Sequence, residues 1–86
     1  MTGEKTLILY GTEACHLCEQ AEELLVGARH AIGGAWTYEK VDISESDALF
    51  ERYGWLIPVL ASPEGEELRW PFDPPALAEF LINCQL

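Results

Sequence analysis

The sequence predicts an α/β fold, a four-stranded mixed sheet flanked by helices in the order βαβαββα. Three observations carry that prediction. An apolar run at Thr6–Tyr10 stops at Gly11 and Thr12 and is followed by apolar residues at helical spacing. Two further short apolar runs flank the turn residues Ser62, Pro63, Glu64 and Gly65, the pattern of an antiparallel hairpin. The chain's 86 residues suffice for one core, whereas two cores would each bury too little, so one domain spanning 1–86 is expected.

Each element follows from local chemistry. Thr6–Tyr10 reads as a strand buried on both faces. Between Cys15 and about Ala28, Leu17, Ala21, Leu24, Leu25 and Ala28 recur at helical spacing while Glu19, Gln20, Glu22 and Glu23 take other positions. Ala31–Gly34 reads as a loop, and Trp36–Ile43, aromatic and β-branched, as a second strand. Ser44 is expected to cap a second helix with Asp47 three residues on, an apolar face of Leu49, Phe50 and Tyr53, and a terminal Gly54. Val59–Ala61 and Glu66–Trp70 form the hairpin strands, and Asp73 before Pro74 opens a last helix through Leu77, Leu81 and Ile82. The first two strands should pair in parallel through a right-handed helical crossover.

Composition narrows the function. About half the residues are apolar, with three Trp, three Tyr and three Phe, which suits a packed core and not a disordered chain. Fifteen Asp and Glu against five Lys and Arg give a formal net charge of −10. A polyphosphate backbone would be repelled, so nucleic acid is excluded as a partner, and the acidity reads as a solvated surface. No run approaches the roughly eighteen apolar residues of a membrane helix, and the start of the chain lacks the apolar region of a secretory signal. A cytoplasmic protein is expected, in a compartment where disulfides that form are usually catalytic or sensory.

The pair Cys15-His16-Leu17-Cys18 follows a strand at a helix start, the context in which this spacing indicates redox chemistry. Free N–H groups and the positive end of the helix dipole favour a thiolate at Cys15, the species that attacks disulfides. Cys18, one turn on, is placed to resolve the mixed disulfide. A protonated His16 would lower the Cys15 pKa while Glu13 and Glu19 act oppositely; the alternative for His16 is an exposed polar residue without an electrostatic role. Zinc is the competing use of such a pair, but it wants four ligands and only the scattered His16, His30 and Cys84 are on hand, so no metal is expected. Cys84 reads as a small, partly buried apolar residue in the final helix, with a regulatory thiol as the alternative.

With that pair after the first strand, Val41-Asp42-Ile43 ending the second and Ile57-Pro58-Val59-Leu60 opening the third, the sequence resembles the glutaredoxin-like branch of the thioredoxin superfamily. The resemblance covers nearly the whole chain and implies a thioredoxin fold. It implies a cis bond at Ile57-Pro58, with Pro58 against the cysteine pair and the Ile57 backbone pairing with an extended substrate alongside His16 and Leu17. Typical members carry a lysine three residues before the first cysteine and a proline after it, where this chain has Thr12 and His16. The glycine pair that helps hold glutathione is replaced by Trp70-Pro71-Phe72-Asp73-Pro74. Glutathione thus loses anchors; Trp70, Phe72 and Trp55 are candidates to line an apolar groove, with core packing expected for at least two of them.

The reading is therefore a monomeric thiol–disulfide oxidoreductase with Cys15 attacking and Cys18 resolving, and no cofactor beyond that pair and a possible glutathione. Its substrate is a protein or small-molecule disulfide, and its electron donor a reductase or glutathione. The alternative is a non-catalytic binding module of the same fold that holds metal, an iron–sulfur cluster or a protein partner.

Overall fold

The computed structural model describes residues 5–13, 15–33 and 36–84, with Ile32 by its backbone alone. The elements run β1 (Lys5–Gly11), α1 (His16–Ile32), β2 (Trp36–Asp42), a 3₁₀ turn (Ile43–Glu45), α2 (Asp47–Tyr53), β3 (Val59–Ala61), β4 (Glu67–Arg69) and α3 (Pro74–Asn83). The sheet order is β2-β1-β3-β4. β1 pairs with β2 in parallel from Lys5 opposite Trp36 to Gly11 opposite Asp42. On its other edge β1 pairs antiparallel with β3, Leu9 opposite Leu60, and β3 pairs antiparallel with β4. This is the predicted βαβαββα fold with its mixed sheet.

The central position of β1 explains its composition. Leu7 and Leu9 are buried, with Ile8 and Tyr10 only half-covered on the other side, so the strand is fully buried on one face and partly on the other. The buried face joins Ala21 and Leu25 of α1, Trp36 of β2, Leu60 of β3 and Leu77 and Leu81 of α3 in the main core. Fully burying a side chain of this kind stabilises by roughly 1.5–3 kcal/mol. A second cluster, Ile43, Tyr53 and Val59, packs on the other face beneath Tyr10, whose ring stacks on Tyr53 with centroids 4.4 Å apart.

Several boundaries differ from expectation. α1 runs one turn past Ala28 and stops at Gly33, whose φ of 73° lies in the left-handed region that glycine adopts without penalty. Ala31 and Ile32 are thus helical and not loop, while Gly34 lies outside the described residues. β2 ends at Asp42 because its carboxylate accepts from the N–H and Oγ of Ser44, turning Ile43–Glu45 into a 3₁₀ turn. The cap of α2 is accordingly Ser46, which accepts from Leu49 N–H, and not Ser44. Asp73 caps α3 as expected, accepting from Ala76 N–H at 2.9 Å. Phe50 and Ile82, assigned to apolar faces, are exposed.

Two measurements test this packing. Leu60→Ala, at a side chain with no exposure, should cost about 2–5 kcal/mol and lower the denaturant midpoint, while Ile82→Ala should change it by less than about 0.5 kcal/mol. The Tyr53 hydroxyl donates to Glu67; burial foremost, then that carboxylate, pushes its pKa up to about 12. A folded pKa above the unfolded value of about 10 means stability present below pH 10 and lost as pH rises toward 12. Parallel unfolding curves of the parent and Tyr53→Phe should therefore converge across that interval.

Candidate active site

The site is built where β1 delivers the chain to the start of α1. Cys15 is the N-cap of α1, in extended conformation, and its Sγ accepts from the N–H of Cys18 at 3.0 Å. Its carbonyl accepts the first helical bond, from Glu19 N–H, and its own N–H donates to Thr12 C=O. Cys15 and Cys18 form a disulfide, with Cα atoms 5.1 Å apart. Cys15 is half-buried whereas Cys18 is 8% exposed. Of the two, the residue at the helix start is the more exposed.

The other sequence-predicted residues divide between two sides. His16 and Leu17 lie on the exposed surface of the first turn. The imidazole approaches Glu19 at 3.8 Å with both side chains solvated, a pair worth little. Ile57-Pro58 is cis and Pro58 is buried. The β1–β3 ladder ends with Tyr10 opposite Val59, the residue that follows Pro58. The Ile57 N–H donates to Tyr53 C=O at 3.2 Å, so strand-like pairing with a substrate would rely on the Ile57 carbonyl. Phe72 is buried and Trp70 half-buried, packed edge to face at 5.0 Å. Trp55 is 98% exposed and so does not pack against the other two.

A cavity of about 390 Å³ opens on the β2 side of the disulfide. Both cysteines line it, with Gly11 and Thr12, and so do the acidic residues Glu13, Glu19, Glu22, Asp42 and Glu45 and the basic Lys40. Glu22 is held in place by the Tyr38 hydroxyl at 2.8 Å and by Lys40 at 3.3 Å; partial burial, then Glu22, raise the Tyr38 pKa. The bonds from Ser44 hold the Asp42 carboxyl below the ordinary range, so it is ionised at neutral pH. The electrostatics of the site are thus mixed, a helix N-terminus at Cys15 facing an acidic wall. The sequence reading set Glu13 and Glu19 beside Cys15 but gave Glu22 no role, although positions 15, 18, 19 and 22 follow one helical stripe. Asp42 and Glu45 reach the cavity only through the parallel pairing of β2.

Gly11 is the other site residue the sequence reading missed, taken there only as the end of a strand. A Cβ built on it would lie 2.8 Å from Cys18 Sγ. Among the described residues, no group of three or more His, Cys, Asp or Glu is arranged to hold a metal ion. Likewise none of their helices is long and apolar enough to cross a membrane. Cys84 is buried with a free thiol, and its pKa is raised chiefly by that burial.

Residues 6–82 match the family described as Glutaredoxin-like domain (DUF836). The crystal structure of the structural-genomics target XcR50 from X. campestris is 45% identical, with a TM-score of 0.77 over 90% of this chain and 96% of that one. Protein Ne2328 from Nitrosomonas europaea is 27% identical at a TM-score of 0.74, covering 88% and 89%. A malarial protein at 10% identity and a TM-score of 0.71 shares the fold alone. No curated protein matches. The match over nearly the whole length, together with the mixed sheet, the cis Pro58 and the cysteine pair at the start of α1, makes this chain a member of the glutaredoxin-like family with a thioredoxin-like fold.

Proposed function

We propose that the protein is a dithiol disulfide oxidoreductase. The observation that carries this reading is the Cys15–Cys18 disulfide at the start of α1, with the half-buried sulfur capping the helix and the buried one one turn below. Cys15 thiolate attacks a substrate disulfide R–S–S–R′, forming Cys15–S–S–R and releasing R′S⁻. Cys18 thiolate then attacks the Cys15 sulfur; the Cys15–Cys18 bond forms, the bond to R breaks and RS⁻ leaves with the electron pair. The protein ends two electrons oxidised and the substrate two electrons reduced. An external dithiol, a reductase or glutathione returns the pair to the reduced state.

The acidic wall supports a reading of the substrate class. Five acidic residues and one lysine line the cavity with the two cysteines, and that lysine pairs with Glu22. Glutathione disulfide carries net negative charge and meets a repulsive field there, while a neutral or cationic disulfide does not. A protein or small-molecule disulfide flanked by basic or neutral groups fits the site best.

Equilibration with graded glutathione buffers, followed by thiol alkylation and mass shift, should show one reversible two-electron transition at Cys15 and Cys18 that Cys15→Ser abolishes. Absence of a disulfide across the whole range would sink the oxidoreductase reading. For substrate charge, reduced protein is mixed with cystamine or with glutathione disulfide, and each rate is divided by that of the same disulfide with dithiothreitol. The normalised preference for the cationic disulfide should be about tenfold at low salt, and shrink both at high ionic strength and in Glu22→Gln/Glu45→Gln. Equal normalised rates at low salt would remove the charge argument.

A further inference from the structure

We infer that Gly11 is a positioning residue for the resolving thiol, its missing side chain leaving the space in which Cys18 Sγ must lie to bond Cys15. The inference rests on the dithiol reading above. Gly11 is buried at the end of β1, and a Cβ there would stand 2.8 Å from Cys18 Sγ and 3.2 Å from Cys18 Cβ, where ordinary contact begins near 3.4 Å. Conformation is not the reason for the glycine, because the described glycines with positive φ are Gly33 and Gly65. Contact with the sulfur is.

Neither backbone can retreat far from an added methyl: a few tenths of an ångström relieve its contact with Cys18 Cβ, while the 2.8 Å contact with Sγ asks for more. Gly11 is held in the sheet opposite Asp42. Cys18 is held by α1, whose Ala21 and Leu25 are locked into the main core at 0% and 1% exposure. What can move is the Cys18 side chain, by rotation about χ1. A free thiol has that freedom; a sulfur bonded to Cys15 does not. An added methyl is therefore tolerated by the dithiol form and resisted by the disulfide form, and it also hinders the transition state in which Cys18 approaches the Cys15 sulfur and RS⁻ departs. Gly11 makes the disulfide easier to form and the mixed disulfide quicker to resolve.

The test is Gly11→Ala in the same graded glutathione buffers. Its equilibrium should shift at least tenfold toward the dithiol, about 30 mV for a two-electron couple, and mixed disulfide at Cys15 should accumulate above the parent's level. Gly27→Ala is the control, since a Cβ at Gly27 meets nothing within 4 Å, and it should stay within twofold of the parent. In a Cys18→Ala background, where the sulfur is gone, Gly11→Ala should leave the denaturant midpoint near that of Cys18→Ala alone; should Gly11→Ala alone fail to fold, this background should restore folding. An equilibrium within twofold of the parent's, or a defect that persists with Cys18→Ala, overturns the inference while the dithiol reading stands. A parent with no reversible couple overturns both.

Discussion

The whole arrangement depends on β1 being held on both edges while its buried face carries the core. Paired with β2 over seven positions and with β3 over three, the strand cannot shift along or across the sheet without breaking two ladders. Leu7 and Leu9 anchor α1 through Ala21 and Leu25, and α3 through Leu77 and Leu81. A short connection then suffices to bring the chain from Gly11 to Cys15, and the start of α1 is set over the end of β1. The sulfur pair lies at that crossing, so the precision of the site is inherited from the most constrained strand in the molecule.

Two opposed fields act on the pair. The Cys18 N–H and the start of α1 favour a thiolate at Cys15, an effect typically worth 0.3–1 kcal/mol where solvent reaches the helix end. Ionised carboxylates in a watery cavity oppose it, each by roughly 0.5 kcal/mol at a separation of about 8 Å, so two or three at such a range would rival the helix end. Salt weakens both, and over that distance it screens the carboxylates most, the Debye length being about 8 Å at physiological ionic strength. Lys40, its ammonium 3.3 Å from Glu22, offsets one of these negative charges and leaves the others. In the proposed couple this wall opposes the thiolate's stabilisation of the reduced form.

What was legible in the sequence was what local chemistry decides. β3, the Asp73–Pro74 helix start and the cysteine pair at a helix start are each written in a few adjacent residues, and the cis bond at Pro58 followed from the family resemblance. The end of β2 was not legible, because Ser44 and Ser46 are equally good caps. The choice fell to Ser46 once Asp42 captured both the N–H and the hydroxyl of Ser44 and Ile43 turned into the second core cluster. The acidic wall was half visible in the helical stripe through positions 15, 18, 19 and 22. Its other half depends on the pairing of Gly11 with Asp42, a contact between positions far apart in sequence. The role of Gly11 was hidden for the same reason: a glycine ending a strand has an ordinary local explanation, and only the folded chain shows what stands against it.

The same strand separates the remaining cysteine from this chemistry. Cys84 ends α3, and its carbonyl accepts from the Lys5 ammonium at 3.3 Å, which ties it to the first residue of β1, whereas Cys18 lies against the last. Six steps at about 3.3 Å per residue put the two ends of β1 roughly 20 Å apart. A disulfide needs Cα atoms within about 7 Å, so Cys84 cannot exchange into the Cys15–Cys18 bond without unfolding of the sheet. Its burial raises the thiol pKa and keeps it from the thiolate form in which cysteine reacts. The chain therefore carries two chemically distinct classes of cysteine. One pair sits at a helix start where a sulfur meets solvent, and one thiol fills space at the far end of the core.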